Sequence, residues 1–243
     1  MYRQTNAAAI GENGRASVHA PARARHVAIV SDGSARWAQA RGLPISDGHE
    51  AAADTVIARI ADAIELGVQE LTLYAFSTEN WARADGEVQG LLQMLARRID
   101  ADTPKLCAQD VRVRFIGRRD RAGQALAGAM QRAEQLTNGN LGLRLYVAFD
   151  YGGRHEIVRA AARYQGGGEA EFAKLLYACE MHDPDVVIRT SGEQRLSNFL
   201  LWRAAQSELV FREELWPDFG RRAFEESLGQ YTTRRERASA VVV

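Results

Sequence analysis

The sequence predicts an α/β fold: a single domain with a mostly parallel β-sheet flanked by helices. Three observations predict it. Short apolar runs and amphipathic stretches alternate along the chain after residue 25. Several of the runs, HVAIVS, VQELTLYAF and DVVIR among them, are compactly apolar, as strands covered on both faces are. No internal repeat, low-complexity block or long linker splits the 243 residues, so one domain is expected.

The elements follow in order. Residues 1–25 hold no apolar stretch of signal-peptide type and read as a loose tail before a domain over 26–243. His26–Ser31 reads as the first strand, and Gly33–Gly42 as a short helix stopped by Gly42 and Pro44. Asp47–Leu66 has helical apolar spacing at Ala52, Val56, Ile57, Ile60 and Ile64 and closes on Gly67. Val68–Phe76 is a second buried strand, followed by a polar loop, Ser77–Gly86, and a helix over Glu87–Asp102. Val111–Ile116, Leu143–Phe149, Asp185–Arg189 and Glu208–Phe211 read as strands. Arg121–Leu136, Arg154–Arg163, Glu169–Cys179 and Arg222–Arg237 read as helices, with Gly166–Gly168 a short hinge. Leu91, Leu92, Leu95 and Ile99 are candidates for a cavity wall or for ordinary core.

Bulk composition narrows the function classes. Hydrophobic residues make up 46% and charged residues 26%, with a formal net charge of +0, so nothing in the bulk charge suggests nucleic acid. Only Lys105 and Lys174 are lysines. The arginine excess suits two-pronged grips on phosphate, and a biased genome gives the same excess. Cys107 and Cys179 have no metal-ligand spacing and read as buried thiols in a reducing compartment. No apolar run approaches the ~20 residues of a membrane span. A cytoplasmic protein is expected. There is no Gly-x-Gly-x-x-Gly and no P-loop lysine, which argues against dinucleotide or ATP use.

In parallel sheets ligands collect beyond the carboxyl ends of the strands. Four segments qualify. In Ser31–Arg36, Asp32 leaves a strand, Gly33 permits a tight turn, and a helix begins with Arg36 in its first turn. Two readings stand for Asp32. It caps the helix, or it holds a divalent cation that lets a carboxylate approach a diphosphate. Phe76–Arg83 places a hydroxyl, a carboxylate, an amide, a ring and a guanidinium after a buried strand; a polar turn anchored by Trp81 is the alternative. In Phe149–Arg154 the paired glycines read as a plain turn, or as room for close backbone approach. In Arg189–Ser197 two arginines flank a Thr-Ser-Gly turn, with Ser197 at a possible helix start. That loop suits a diphosphate or an ion pair with Glu193. Together the segments bring several arginines and one aspartate to one sheet edge, which points to a phosphate site.

These residues resemble the cis-prenyltransferase family, whose best-known member is undecaprenyl diphosphate synthase. The stretches HVAIVSDGSARWAQARGLP, LTLYAFSTENWAR, VAFDYGGR and DPDVVIRTSGEQRLSNFLLW, with SELVF and LWPDF after them, stand in the family's order between His26 and about Arg237. The resemblance implies a parallel sheet and helices around an elongated apolar tunnel, and a homodimer. It implies a Mg²⁺-dependent transfer. An allylic diphosphate (dimethylallyl, geranyl or farnesyl) is ionised and coupled to a second C5 diphosphate, isopentenyl diphosphate, giving a cis-prenyl diphosphate. By the same resemblance Asp32 binds Mg²⁺ and assists diphosphate departure. Gly33, Ser34, Ala35 and Arg36 bind the allylic diphosphate, with Trp37, His49 and Arg83 nearby. Ser77, Thr78, Glu79, Asn80 and Trp81 line the reacting centre, with Asn80 as proton acceptor. His49 and Ser77 count among the catalytic groups. Arg189, Arg195, Leu196 and Ser197 hold the second diphosphate, and Glu208 supplies a second metal-linked carboxylate near the dimer interface. Peripheral membrane association is expected only for a long product.

The chain departs from the family pattern at several points. Ser34-Ala35 replaces the usual Asn-Gly, Ile45 replaces an arginine, and Glu50 replaces a basic residue. Ala238-Ser239-Ala240 stands where many members carry Arg-x-Gly, and the stretch between Arg154 and Asp183 is shortened. Two product classes follow: a linear cis-prenyl chain, or a branched lavandulyl or isosesquilavandulyl type formed with dimethylallyl diphosphate as acceptor. A non-catalytic partner subunit of the same fold is the alternative from another class.

Overall fold

The structure, a computed structural model, describes residues 24–241. Most of the expected tail therefore lies outside the described residues. Six strands form one all-parallel sheet: β1 (His26–Val30), β2 (Glu70–Ser77), β3 (Arg112–Ile116), β4 (Arg144–Tyr151), β5 (Val186–Arg189) and β6 (Glu208–Phe211). Their order across the sheet is β3-β4-β2-β1-β5-β6, with β1 in register with β5 from Val27↔Val186 to Val30↔Arg189. The helices are α1 (Ser34–Ala40), α2 (Ile45–Glu65), α3 (Asp85–Ala108), α4 (Gly123–Leu136), α5 (Gly153–Ala161), α6 (Gly168–Ala173) and α7 (Arg221–Val241).

The continuous apolarity of the strands has the expected cause. Along β1, Val27 and Ile29 enter the larger core with Ile60 of α2, Val88 of α3, Leu126 of α4 and Phe224 of α7. Ala28 and Val30 enter a second core on the opposite face with Tyr146, Tyr151, Met181 and Phe199. Successive residues of a strand point to opposite faces, so a sheet covered on both sides needs apolar side chains at every position.

Some elements differ from expectation. The polar loop after β2 is a 3₁₀ turn, Thr78–Ala82, closed by a capping box between Ser77 and Asn80. The helix α3 runs past its expected end and through Pro104, while Thr103 Oγ1 back-bonds to the Ile99 carbonyl at 2.5 Å. The helix expected over Glu169–Cys179 is only α6; Ala178 takes φ 44° and the chain turns away. No helix starts at Ser197, because Ser197, Asn198 and Leu200 take φ 46°, 64° and 44° in a left-handed turn. The cysteines are not buried: Cys107 is half-buried and Cys179 exposed.

Candidate active site

The carboxyl ends of β1, β2 and β5 meet at one edge and open into a cavity of about 740 Å³. Thr190, just past β5, stitches β1 to β5. Its Oγ1 donates to the Asp32 carbonyl at 2.7 Å and accepts the Asp32 N–H at 2.9 Å. Gly33 then turns the chain at φ 110°, where a Cβ would also meet Leu215 Cδ2 at 2.8 Å. No side chain caps α1, so the helix-cap reading of Asp32 is not realised. Its carboxylate instead accepts from Arg189 Nη2 at 2.8 Å and lies 3.7 Å from Arg36.

Arg189 is buried at this edge. Its Nη1 donates to the Arg195 carbonyl at 2.6 Å and to Ser197 Oγ. Its Nε is buried with no hydrogen-bond partner among the described residues. Three of its five N–H donors are so engaged, which leaves the second Nη2 N–H as well as the buried Nε, and a preoriented guanidinium with donors left over suits an incoming anionic oxygen.

The 3₁₀ turn supplies the opposite wall. The Ser77 N–H donates to Asn80 Oδ1 at 2.9 Å, which leaves the Asn80 amide N–H groups as donors. Glu79 accepts from Asn198 Nδ2 at 2.9 Å and from Thr78 Oγ1 at 3.1 Å. Burial pushes the Glu79 carboxyl up, but donors from Asn198, its own backbone, Ser77 and Thr78 outweigh it and hold the group below its ordinary range. His49, on α2, is pushed down by burial and then by the Arg83 charge, so its imidazole is neutral at pH 7. Arg83 pairs with Glu87 at 2.8 Å, and Arg195 pairs with Glu193.

The structure brings Asp32, Gly33, Ser34, Ala35, Arg36, His49, Ser77, Glu79, Asn80, Arg83, Arg189, Arg195 and Ser197 to the cavity lining. Below this mouth the wall turns apolar, with Val56, Ile57, Ile60, Leu91, Leu95, Ile99, Phe115 and Val147. Leu92 faces away from the cavity into the core. Trp37, Thr78, Trp81 and Leu196 are not in the lining. Trp37 turns outward, donating to Asp218 Oδ1 at 2.8 Å, with the Arg41 guanidinium 4.3 Å above its ring. Trp81 donates to Asp150 Oδ1 at 2.9 Å, and Leu196 packs against the second core.

Glu208 does not join Asp32 within one chain. It starts β6 in register with Val186, at the amino end of the sheet, and pairs with Arg234 at 3.2 Å. Ile45 lies in a side cleft of about 430 Å³ with Ser46, His49, Glu50 and Arg97, and Glu50 pairs with Arg97.

Among the described residues no three His, Cys, Asp or Glu side chains cluster as a metal cage. A magnesium ion carried in with a diphosphate needs only one or two protein carboxylates, the rest of its shell being phosphate oxygens and water. Asp32, about a third exposed beside two arginines, fits that arrangement.

The chain is similar to known proteins over most of its length. The family model Prenyltransf, of the undecaprenyl diphosphate synthase family, matches residues 30–239. The chain belongs to this family. The prenyltransferase is 46% identical over 222 residues to an isoprenyl transferase of Aquifex pyrophilus, covering 89% of this chain and 96% of that one. It is 45% identical over 224 residues to a trans,polycis-polyprenyl diphosphate synthase of Thermobifida fusca, described as (2Z,6E)-farnesyl diphosphate specific, covering 88% and 79%. Among solved structures it resembles lavandulyl diphosphate synthase from Lavandula x intermedia in complex with dimethylallyl diphosphate. The TM-score is 0.84, with 33% identity over 86% of this chain and 95% of that one.

The sequence reading missed several residues of the prenyltransferase site. Asn198 lines the cavity and binds Glu79, and its Oδ1 accepts the Arg154 N–H at 2.8 Å. Gly152 and Gly153 are more than a plain turn: a Cβ at Gly152 would meet Thr78 Oγ1 at 2.6 Å and Asn198 Nδ2 at 2.7 Å. Arg98 and Asp102 also reach the cavity wall. Their spacing from Leu91, Leu95 and Ile99 puts them on the same helical face, a signal the charged side chains obscured.

Proposed function

We propose that this prenyltransferase ionises an allylic diphosphate (dimethylallyl, geranyl or farnesyl) in a Mg²⁺-dependent reaction and couples it to isopentenyl diphosphate. The product is a cis-prenyl diphosphate. One observation carries the reading: a mouth built on the Asp32–Arg189 pair and flanked by Arg36, Arg83 and Arg195 stands directly above an apolar cavity. Diphosphates bind at the mouth and the hydrocarbon lies below it.

The allylic C–O bond breaks and its electron pair leaves with the diphosphate. The double bond of isopentenyl diphosphate attacks the cation, a C–C bond forms, and a proton departs past Ser77 and Asn80. Magnesium, when bound, neutralises charge on the leaving diphosphate. Arg36 and the first-turn N–H groups of α1 hold the allylic diphosphate; Arg189, Arg195 and Ser197 hold the second. Asn80 is held by Ser77 so that its side chain faces the reacting atoms. His49, whose pKa is lowered by burial and by the Arg83 charge, lies at the mouth beside the diphosphates. The apolar wall keeps water from capturing the cation. The proposed working form is a homodimer; within one chain Glu208 stands at the amino end of β6, paired with Arg234 and away from the mouth.

Turnover by the purified chain with Mg²⁺ is the first test, with a chelator as control. Asp32→Ala is expected to abolish transfer and leave the circular-dichroism spectrum unchanged. Full activity in that variant would sink the reading. Absence of turnover by the wild type alone would favour the non-catalytic partner subunit.

A second reading has specific support. Ile45 and Glu50 leave the allylic side short of positive charge, and the lavandulyl synthase likeness is high. In this reading dimethylallyl diphosphate is also the acceptor and the product is branched. Incubation with isopentenyl, dimethylallyl, geranyl and farnesyl diphosphates, followed by mass and NMR analysis, separates the two. A branched product from dimethylallyl diphosphate alone selects the second; a linear Z product that requires isopentenyl diphosphate selects the first.

A further inference from the structure

We propose that Asp150 and Arg121 form a positioning clamp that acts through Trp81 to set the geometry of the catalytic 3₁₀ turn. The clamp rests on the functional reading above, since it is defined by the reaction the turn performs. Neither Asp150, Arg121 nor Trp81 lines the cavity.

The observations begin with Asp150 itself. It is the penultimate residue of β4, with φ 44°, a left-handed conformation that a non-glycine residue adopts at a cost. It is 1% exposed. A buried carboxylate is tolerated only with several donors. Asp150 has them from two side chains. Arg121 donates bidentately, at 2.9 Å from Nε and 2.6 Å from Nη2. The Trp81 indole N–H donates at 2.9 Å. Arg118, which hydrogen-bonds Asp120, adds a positive charge 3.8 Å away.

Trp81, half-buried, is thereby held by three contacts. The Arg121 guanidinium lies 4.5 Å above the ring that Asp150 grips by its edge. Phe76, a cavity-wall residue, meets the same ring edge-on at 5.2 Å. Asn80 immediately precedes Trp81, Glu79 lies two residues back and Ser77 four. An indole held by these contacts transmits its position to those groups through at most four peptide bonds. The clamp also ties the β3–α4 connection, which carries Arg118 and Arg121, to the reacting centre. Reaction geometry is sensitive to displacements of about 1 Å in such groups. The clamp therefore acts on the chemical step and leaves substrate affinity to the mouth arginines.

The test uses three variants of the full-length protein. Trp81→Phe keeps the ring and deletes the N–H. Asp150→Asn keeps a neutral acceptor for Trp81. Asp150→Ala removes both partners' anchor. Trp81→Phe is expected to lower kcat by about tenfold, with KM for both diphosphates within about threefold. Asp150→Ala is expected to lose at least as much, and Asp150→Asn to recover at least about half of the wild-type kcat. Amide hydrogen exchange, followed by mass spectrometry without substrate, gives an arm independent of turnover. Residues 77–82 are expected to exchange faster in Trp81→Phe and Asp150→Ala, with β1 and α2 unchanged. Unchanged kcat, a rise in KM alone, or exchange that speeds equally everywhere would overturn the clamp. If the wild type shows no turnover, the functional reading fails, and the exchange arm still decides whether the clamp orders the turn.

Discussion

Arg189 divides its donors unequally. Nη1 and Nη2 hold the 195–197 loop and Asp32, while the buried Nε has no partner among the described residues. A point charge cannot do this, because an ammonium lacks the planar fork. Arg189→Lys therefore keeps the charge and loses the alignment of Asp32 with Ser197. The expected loss in kcat/KM is about 10- to 100-fold, the equivalent of roughly 1.5–3 kcal/mol for one charged hydrogen bond. Steady-state kinetics with each diphosphate varied in turn would read it. The loss is expected mainly against the second diphosphate, which Arg189 is proposed to hold. Trp37 and Trp81 show the opposite case at the same scale. Both sit inside motif segments, and both turn their indoles toward acidic partners away from the cavity.

At the scale of elements, the turn between β4 and α5 and the 3₁₀ turn after β2 are built against each other. Gly152→Ala would drive a methyl group into Thr78 and Asn198, the residues that hold Glu79. The expected cost is about 1–3 kcal/mol in urea denaturation, together with a fall in kcat. A variant as stable and as active as the wild type would show that the two turns yield without consequence. The seam between α2 and α3 is ionic. Arg98 pairs with Asp54 at 2.6 Å and with Asp102 at 3.2 Å. Arg98→Leu leaves the buried Asp102 with Lys105 alone at 3.4 Å. The expected destabilisation is about 2–3 kcal/mol, below that of a fully buried pair because Arg98 stays partly solvated. Replacing Arg98 and Asp102 together by leucine is expected to recover most of that loss in the same measurement.

Across the whole molecule, function and stability are placed at opposite ends of the sheet. At the amino end His26 is fully buried, with Nδ1 donating to the His182 carbonyl at 2.6 Å and Nε2 accepting from Thr72 at 2.8 Å. Burial lowers its pKa to about 4, against opposing contributions from Glu70, the His182 carbonyl and Asp185. Above pH 6.5 the folded and unfolded forms are both neutral at this group and nothing is lost. As the pH falls from 6.5 to about 4 the unfolded chain takes up a proton that the folded chain refuses, so stability declines. The decline is expected to reach roughly 3 kcal/mol. Denaturation at pH 7, 6, 5 and about 4, compared with His26→Gln, would show a shallower slope in the variant. Equal slopes would assign the acid sensitivity elsewhere.

The sequence by itself determined the parallel sheet, all six of its strands and most residues of the mouth. Those properties are local: a run such as HVAIV is a strand covered on both faces whatever surrounds it, and Asp32 and Arg36 follow it by covalent connection. Only the tertiary structure decided what each side chain faces. Asp32 is an ion-pair partner rather than a helix cap because Arg189, 157 residues away, arrives on the neighbouring strand. Glu208 follows β5 closely in sequence, yet the parallel crossover returns it to the amino end of the sheet. Trp81 serves the site from outside its lining because Asp150 and Arg121 come to it from other elements. Periodicity and spacing encode which element a residue occupies. They do not encode which distant donor or acceptor will reach it, and that pairing sets the chemistry of this edge.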